Sequence, residues 1–351
     1  MSKLKSNSPL VSIIIPNFNG EKFIEKCLES IYQETKVSFE VVVIDNGSID
    51  RSLKLLKKEK RKRKNLKVIA LKENLGPAEA RNIGRQNSSG HFLAILDYDT
   101  VVGPKWLGKS LSYLKRHPKI GVAQLKIIKM GTNNYDCAGE KITQFGFLSE
   151  RAREAKDLGQ FDHVEDIFSG KTAAMIIRKN AFDKAGGFDK EIFMYWEEPD
   201  FCWRVWKAGF RVVFLPFGKV WHAYGTKDKK VSKAHATWIT HQGCRNQIIS
   251  IIKNAPGLHL LKMLLAAVTT WIILLLSFLL KLDWPRAKAV LRAFGWLITH
   301  PRVLIKKRKQ LITKLGKQYY QDDLWLKKVL IKRRISWYLG KAFGYLTNQA
   351  F

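Results

Sequence analysis

Acidic residues are scarce in this chain. It carries 30 Asp and Glu against 62 Lys and Arg, a formal charge of +32 over 351 residues. That imbalance sets it apart from neutral cytosolic enzymes and implies a polyanionic partner: nucleic acid, an anionic membrane surface or a phosphorylated substrate. Cysteine is also sparse. Cys27, Cys137, Cys202 and Cys244 stand apart with no Cys-x-x-Cys pair, which disfavours a zinc ribbon or a disulfide framework and fits a reducing compartment. Neither Gly-x-x-x-x-Gly-Lys-Ser/Thr nor Gly-x-Gly-x-x-Gly follows the first apolar run, so a nucleotide is not cradled in P-loop or Rossmann fashion. Met1 to Leu10 is polar, and the short apolar run after it ends in the loop Pro16-Asn17-Phe18-Asn19-Gly20. No secretory leader is expected.

What is present is an alternation of strand and helix signals. Val11 to Ile15, Phe39 to Ile44, Leu66 to Leu71 and Phe92 to Leu96 read as buried strands. Between them, Glu21 to Gln33, Ser52 to about Lys60 and Ala78 to Gln86 read as helices, the last opened by Gly76-Pro77. The basic run Lys57 to Lys64 reads as a solvated helix end. Strands interleaved with helices predict an α/β fold with a mostly parallel, doubly wound sheet. Every loop after a strand then falls on one sheet edge, so Pro16 to Asn19, Asp45 to Ser48 and Asp97 to Asp99 converge there, at the edge where open α/β sheets bind ligands.

Asp97-Tyr98-Asp99 is the stretch with most chemical content. Carboxylates at i and i+2 on a strand end suit a divalent cation, Mg²⁺ or Mn²⁺, since such ions take one or two carboxylates while substrate phosphates supply further oxygens. The structural alternative is a solvated turn, where Asp is common. Arg81 would add positive charge for a diphosphate. Asp45 suits either the ring N–H of a pyrimidine base or the cap of the following helix.

These blocks resemble a known family. Val11 to Asn19 (VSIIIPNFN), Val41 to Ser48 (VVVIDNGS), Asn74-Leu75-Gly76 through Ala80-Arg81-Asn82-x-Gly84, and Leu96 to Thr100 (LDYDT) are similar to the family 2 inverting glycosyltransferases of GT-A fold. Gly170 to Arg178, Gly186 to Asp189, Phe193 to Arg204, Ala208 to Val212 and Val220-Trp221-His222 resemble the acceptor half of the rhamnosyltransferase-like branch. The likeness covers residues 11 to about 255. It implies nucleotide-sugar contacts at Pro16, Asn19, Asp45, Asn46, Arg81 and Asp97. It also implies a metal site at Asp99, with His222 near the ion and Asp97 supporting it or contacting the ribose. The catalytic base of the family is the second acid of Glu-Asp, which falls on Glu198. Glu is one methylene longer than Asp, so Glu197 and Asp200 stand as alternatives. The structural reading of Glu-Glu-Pro-Asp is a cap on a helix from Phe201 to Ala208, with Asp200 as the capping group. Phe188, Tyr195 and Trp196 are candidates for an aromatic sugar platform.

Past residue 255 the composition changes. Met263 to Leu280 is uncharged and bracketed by Lys262 and Lys281, long enough to be membrane-embedded. The tail then interleaves Lys306 to Lys309, Lys327-Lys328 and Lys332 to Arg334 with Leu304, Leu311, Trp325, Leu326 and Trp337, a pattern that binds anionic headgroups. Dense cations on both flanks favour a re-entrant or in-plane helix over a span. The expected division is a catalytic domain at 1–255 and a basic, helical, membrane-associated region at 256–351, with its apolar segment near 260–281. Together these features predict an inverting transfer from a nucleotide-sugar to a glycan or lipid-linked glycan hydroxyl, at the cytoplasmic face of a membrane. Transfer to polyprenyl phosphate is the alternative within enzymes. Nucleic-acid binding on a degenerate scaffold is the alternative outside them, and no nucleic-acid partner is expected because no such motif is present.

Overall fold

The computed structural model describes residues 9–223, 232–320, 324–334, 336–338 and 340. Most of the segment on which the expectation of no leader rests therefore lies outside the described residues. In chain order the first half comprises β1 (Val11–Asn17), α1 (Ile24–Glu34), β2 (Phe39–Asp45), α2 (Ser52–Lys62), β3 (Leu66–Ala70), α3 (Gly76–Gln86), β4 (Phe92–Leu96), β5 (Thr100–Val102) and α4 (Gly108–Arg116). The second half follows with β6 (Ile120–Lys129), β7 (Tyr135–Cys137), β8 (Glu140–Thr143), β9 (Leu148–Glu150), β10 (Glu165–Asp166) and β11 (Ala174–Arg178). Then come α5 (Lys179–Ala185), α6 (Glu197–Lys207) and β12 (Arg211–His222). The chain continues as helices α7 (Lys233–Asn254), α8 (Gly257–Leu280), α9 (Trp284–Thr299) and α10 (Pro301–Leu315).

The main sheet runs β10-β12-β6-β11-β4-β1-β2-β3. β4, β1, β2 and β3 are parallel neighbours, with Val11 opposite Phe39 on one side and Phe92 on the other. β6 and β12 form a second parallel pair. β11 enters antiparallel between β4 and β6, while β10, β5 and β7 pair antiparallel at the far side. The sheet is therefore mixed. Short hairpin-like returns after residue 120, with no helix between β6 and β10, allow the antiparallel pairings that βαβ crossovers forbid.

Alternating side chains feed two cores. Val11, Ile13 and Ile15 of β1 point to one face with α1 and α4, and Ile14 points to the other. That second face is where the carboxyl-terminal helices pack. One apolar cluster joins Ile14 and Ile95 of the sheet, Phe201 and Trp203 of α6, and Met263, Trp271 and Phe278 of α8. The sheet with its flanking helices and the region beyond residue 255 thus share a core.

Buried charge fixes α6 against α7. Asp200 is fully buried, accepting from Arg204 Nη2 at 2.8 Å, Lys253 Nζ at 2.8 Å and Asn254 Nδ2 at 2.8 Å. Lys253 also reaches Asp189 at 2.6 Å, and Asp189 accepts from Lys307 of α10 at 2.6 Å. Burial works against both carboxylates, but the lysines beside Asp189 and the Lys253 and Arg204 charges beside Asp200 hold them below their ordinary range. Asp200→Asn keeps the shape while leaving Arg204 and Lys253 short of a counter-charge. We expect it to cost about 3–5 kcal/mol, read as a lower midpoint in urea unfolding.

Candidate active site

The site forms where β1, β2 and β4 end. Leu96 delivers Asp97 to the rim, and the Thr100 amide and hydroxyl both bond back to the Asp97 carbonyl, at 3.2 and 2.7 Å. This turn carries Asp99 into β5, which pairs antiparallel with β12 so that His222 lies opposite Thr100. The Ala223 amide donates to the Asp99 carbonyl at 2.9 Å. Residues 123 positions apart in sequence are thereby brought side by side. His222 Nε2 stands 3.3 Å from Asp99 Oδ1 and 4.0 Å from Asp97 Oδ2, and ligand atoms of all three residues lie within 4.8 Å of one another.

The opposite ring nitrogen of His222 bonds Asp136 Oδ2 at 2.9 Å. Asp136 sits on β7, which pairs with β6 next to β12. Sequence reading missed it, because a lone Asp before Cys137 carries no local signal. Its arrangement is that of a carboxylate orienting a ligating imidazole. Burial opposes charge on His222, yet the hydrogen bonds its ring donates to the Asp136 and Asp99 carboxylates outweigh it and push the imidazolium up to about 10. Asp97 is raised by burial, an effect offset in part by Arg81 and His222. Two carboxylates and an imidazole held this close fit a hard divalent cation, whose charge would serve where the imidazolium proton now does.

Arg81, buried on α3, bridges Asp97 Oδ1 at 3.4 Å and Glu197 Oε1 at 3.2 Å. Glu197 is 4% exposed, and its Oε2 has no hydrogen-bond partner. Burial and the neighbouring Glu198 charge raise it to about 8 despite Arg81. Burial and the Glu198 charge thus favour its protonated form, in which it anchors Arg81 without cancelling the guanidinium charge. Glu198 differs. It is partly exposed, and its Oε1 accepts from the Thr172 hydroxyl at 2.9 Å and the Thr172 amide at 3.3 Å. Thr172, unforeseen from sequence, aims this carboxylate while leaving Oε2 for another donor.

The geometry corrects the expected cap. Glu197 to Asp200 form the first turn of α6 and not a cap on a helix from Phe201, so the two glutamates diverge by a helical step. Tyr195 and Trp196 precede them at φ of 64° and 72°, a left-handed pair that costs roughly 1–2 kcal/mol per residue. Asn246 of α7 holds the pair, its Nδ2 donating to the carbonyls of Met194 and Tyr195 at 2.9 and 3.0 Å. Asp200 belongs to the buried ion network and is sealed from the cleft. Phe188 is core, stacked on Phe201 at 4.6 Å, so the aromatic platform reduces to Tyr195 and Trp196, with Trp238 of α7 at 5.8 Å from Tyr195.

At the β1 and β2 ends, Asp45 Oδ1 accepts from Asn17 Nδ2 at 2.9 Å, and Asn17 Oδ1 is buried without a partner. The Ser52 amide donates to Asp50, so Asp50 serves the entry of α2 and Asp45 does not cap it. Asn46 Oδ1 accepts from the Leu75 amide at 3.0 Å and its Nδ2 donates to Asn74 at 2.9 Å, tying the β2 loop to the start of α3. Asn19, at φ 52°, is bonded through its amide to Ser48 and through Oδ1 to the Ile49 amide. Pro16 is buried within β1 beside Ile44.

Comparison with known proteins follows the same outline. A model of glycosyl transferase family 2 matches residues 12–184. Glycosyltransferase AglE of Haloferax volcanii is 37% identical over 221 residues, 60% of this chain and 66% of its own. The amylovoran biosynthesis glycosyltransferase AmsE of Erwinia amylovora is 26% identical over 209 residues, 59% of this chain and 73% of its own. Matches to the first curated relatives span from 35% to 73% of their lengths. The crystal structure of GalNAc-T7 with UDP, GalNAc and Mn²⁺ superposes with a TM-score of 0.56 at 19% identity, covering 71% of this chain and 48% of its own, a likeness of fold. The sheet is of GT-A type, and the chain belongs to the family 2 glycosyltransferases.

One consequence of the Glu197 environment is a pH dependence of stability. The unfolded chain ionises Glu197 near the usual carboxylate value, whereas the folded chain keeps the proton to about 8. Between those values the unfolded state binds fewer protons, so this residue lowers stability as pH rises. Thermal melts of Glu197→Gln from pH 5 to 9 should fall less steeply through that window than those of the parent, with the difference closing at the acid end.

Proposed function

We propose that this protein is an inverting glycosyltransferase that moves a sugar from a nucleotide-sugar to a hydroxyl of a lipid-linked glycan, at the cytoplasmic face of a membrane. The observation that carries the reading is the pairing of two unlike carboxylate environments on one cleft. Asp97, Asp99 and His222 form a ligand set within 4.8 Å, while Glu198 stands apart on α6, aimed by Thr172. Asp97, Asp99 and His222 would hold a divalent cation, Mg²⁺ or Mn²⁺, which when bound supplies positive charge against the diphosphate of the donor.

The residues of the chain divide the remaining work. Pro16, Asn19, Asp45 and Asn46 line the strand ends where the nucleoside would lie, with Asp45 as acceptor for a base N–H. Arg81 adds fixed positive charge that favours the diphosphate leaving group. Glu198 takes the proton of the acceptor hydroxyl as its oxygen bonds to the anomeric carbon and the bond to the diphosphate breaks on the opposite face, inverting the centre. A hydroxyl acceptor is favoured over a polyprenyl phosphate because a phosphate is already ionised, needs no base and would be repelled by Glu198. The same carboxylates disfavour a nucleic acid in the cleft. Residues 1–255 carry the chemistry and 256–351 the membrane attachment, a division of labour across one shared core.

The relatives support this reading. AmsE is named for biosynthesis of amylovoran, and GalNAc-T7 was solved with a nucleotide, a sugar and Mn²⁺. Four cysteines, all free and buried, suit a reducing compartment.

Two variants test the assignment. Asp99→Ala should abolish the thermal shift that a nucleotide-sugar gives with Mg²⁺ or Mn²⁺ while leaving the unliganded melting point near that of the parent. Donor binding unchanged by Asp99→Ala, or by EDTA on the parent, would refute the cation site. Glu198→Gln should keep donor affinity and lower kcat about 10²-fold or more, with Glu198→Asp retaining more activity than Gln. Normal turnover in Glu198→Gln alongside a dead Glu197→Gln would move the base to Glu197.

A further inference from the structure

Helix α8 is uncharged from Met263 to Leu280, with a mean hydropathy of 2.5, yet its two faces have different neighbours. Met263, Ala267, Trp271, Leu274 and Phe278 are buried against the catalytic body. Trp271 Nε1 donates to Gln247 Oε1 of α7 at 2.9 Å, and Met263 lies against Gly146 in the β8–β9 turn. The opposite stripe, Leu258, Leu261, Leu265, Ile272 and Leu276, is exposed by 44% to 88%. Positions 258, 261, 265, 272 and 276 recur at helical spacing, so the exposed residues form one continuous strip.

The length of the buried stripe decides the topology. It runs from Met263 to Phe278, about 22 Å at 1.5 Å per residue. A helix that crossed a bilayer along its own axis would carry that whole flank of the catalytic body into hydrocarbon. The flank includes the β8–β9 turn with its partly exposed Gln144, whose polar groups hydrocarbon would not satisfy.

The rim of the strip is basic. Between residues 257 and 315 Asp283 is the lone acid, and it is paired with Arg286 at 2.5 Å. Lys262, Lys281, Lys288 and Arg292 are exposed at the borders of the strip and on the neighbouring face of α9, which also presents Trp284, Leu291 and Ile298. Arg302, Lys306 and Lys309 of α10 follow, flanking a shallow hollow of about 600 Å³ beside Ile305. An apolar strip bordered by long cationic side chains and an exposed Trp matches one leaflet of an anionic bilayer: acyl chains under the strip, headgroup phosphates against the rim.

We propose that α8 and α9 lie in the plane of an anionic membrane, immersed on one side only in a single leaflet, with the catalytic body on the aqueous side. This rests on the membrane-associated reading above and adds its topology. It also puts the β8–β9 turn, on the acceptor side of the cleft, at the membrane surface.

The test uses the full chain with single introduced thiols at Leu258→Cys, Leu265→Cys, Leu276→Cys and Leu280→Cys, each carrying a fluorophore. The four native cysteines are buried, so labelling falls on the new thiol. Bound to vesicles of phosphatidylcholine and phosphatidylglycerol, all four probes should be quenched best by lipids brominated near the headgroup, and both ends should remain open to iodide added outside. Deep quenching at 265 and 276 with one end shielded from iodide overturns the in-plane topology and leaves membrane association standing. Failure to float with vesicles, with light scattering giving a dimer whose interface quenches the same probes, overturns both. In a second arm, Lys288→Gln and Arg292→Gln should each weaken binding to the anionic vesicles about five-fold and leave binding to pure phosphatidylcholine unchanged. Equal affinity of these variants for anionic vesicles removes the headgroup contact from the proposal.

Discussion

The cost of burying a carboxylate governs this structure. A buried ion without a partner is penalised by several kcal/mol, and a chain with 30 acids against 62 bases has few carboxylates to place inside. Two groups of them stand out. Asp189 and Asp200 are matched by Lys253, Arg204 and Lys307 and are held ionised; they join α6, α7 and α10. Asp97 and Glu197 are raised by burial, and each also faces another acid. Carboxylates kept in opposition do nothing for stability. Their concentration at the carboxyl edge of β4 and the first turn of α6 is what marks a site, since perturbed groups gather where charge must be bound or protons moved. The acids taken inward also leave the surface strongly basic, and helices α8 to α10 inherit that excess.

How much of this was legible in the sequence follows from the range of each interaction. Strands β1 to β4 were readable because their apolar runs are local and bounded by turns, and the convergence of Asn17, Asp45 and Asp97 follows from parallel winding alone. β11 inserted antiparallel between β4 and β6 was not, since nothing within Ala174 to Arg178 distinguishes a parallel from an antiparallel neighbour. The approach of His222 to Asp99 was foreseen only through family resemblance; physically it depends on β5 pairing with β12, a register set over more than a hundred residues. Asp136 and Thr172 were invisible for the same reason.

The error at α6 has a more specific cause. Pro199 and the run of acids suggested that the helix starts at Phe201, with the acids outside it. The helix starts at Glu197 because Tyr195 and Trp196 both adopt left-handed backbone, a conformation that no local preference of Tyr or Trp announces. It persists because Asn246, some fifty residues later, ties down the carbonyls of Met194 and Tyr195. Strain of this kind survives only where surrounding structure over-determines it.

That clamp gives the carboxyl-terminal helices a part in shaping the cleft. α7 contributes Asn246 to the turn that sets Glu197 and Glu198, Lys253 and Asn254 to the Asp200 that pins the same helix, and Gln247 to the α8 tryptophan. A displacement of α8 relative to the sheet would pass to α7 through the buried Trp271 contact, and from α7 to the first turn of α6 through bonds of 2.8 to 3.0 Å. Glu198 and the apolar strip are thus two ends of one packed unit. A rigid coupling of this kind fixes the position of Glu198 relative to the exposed strip of α8, so the geometry of the cleft is set together with that of the carboxyl-terminal helices.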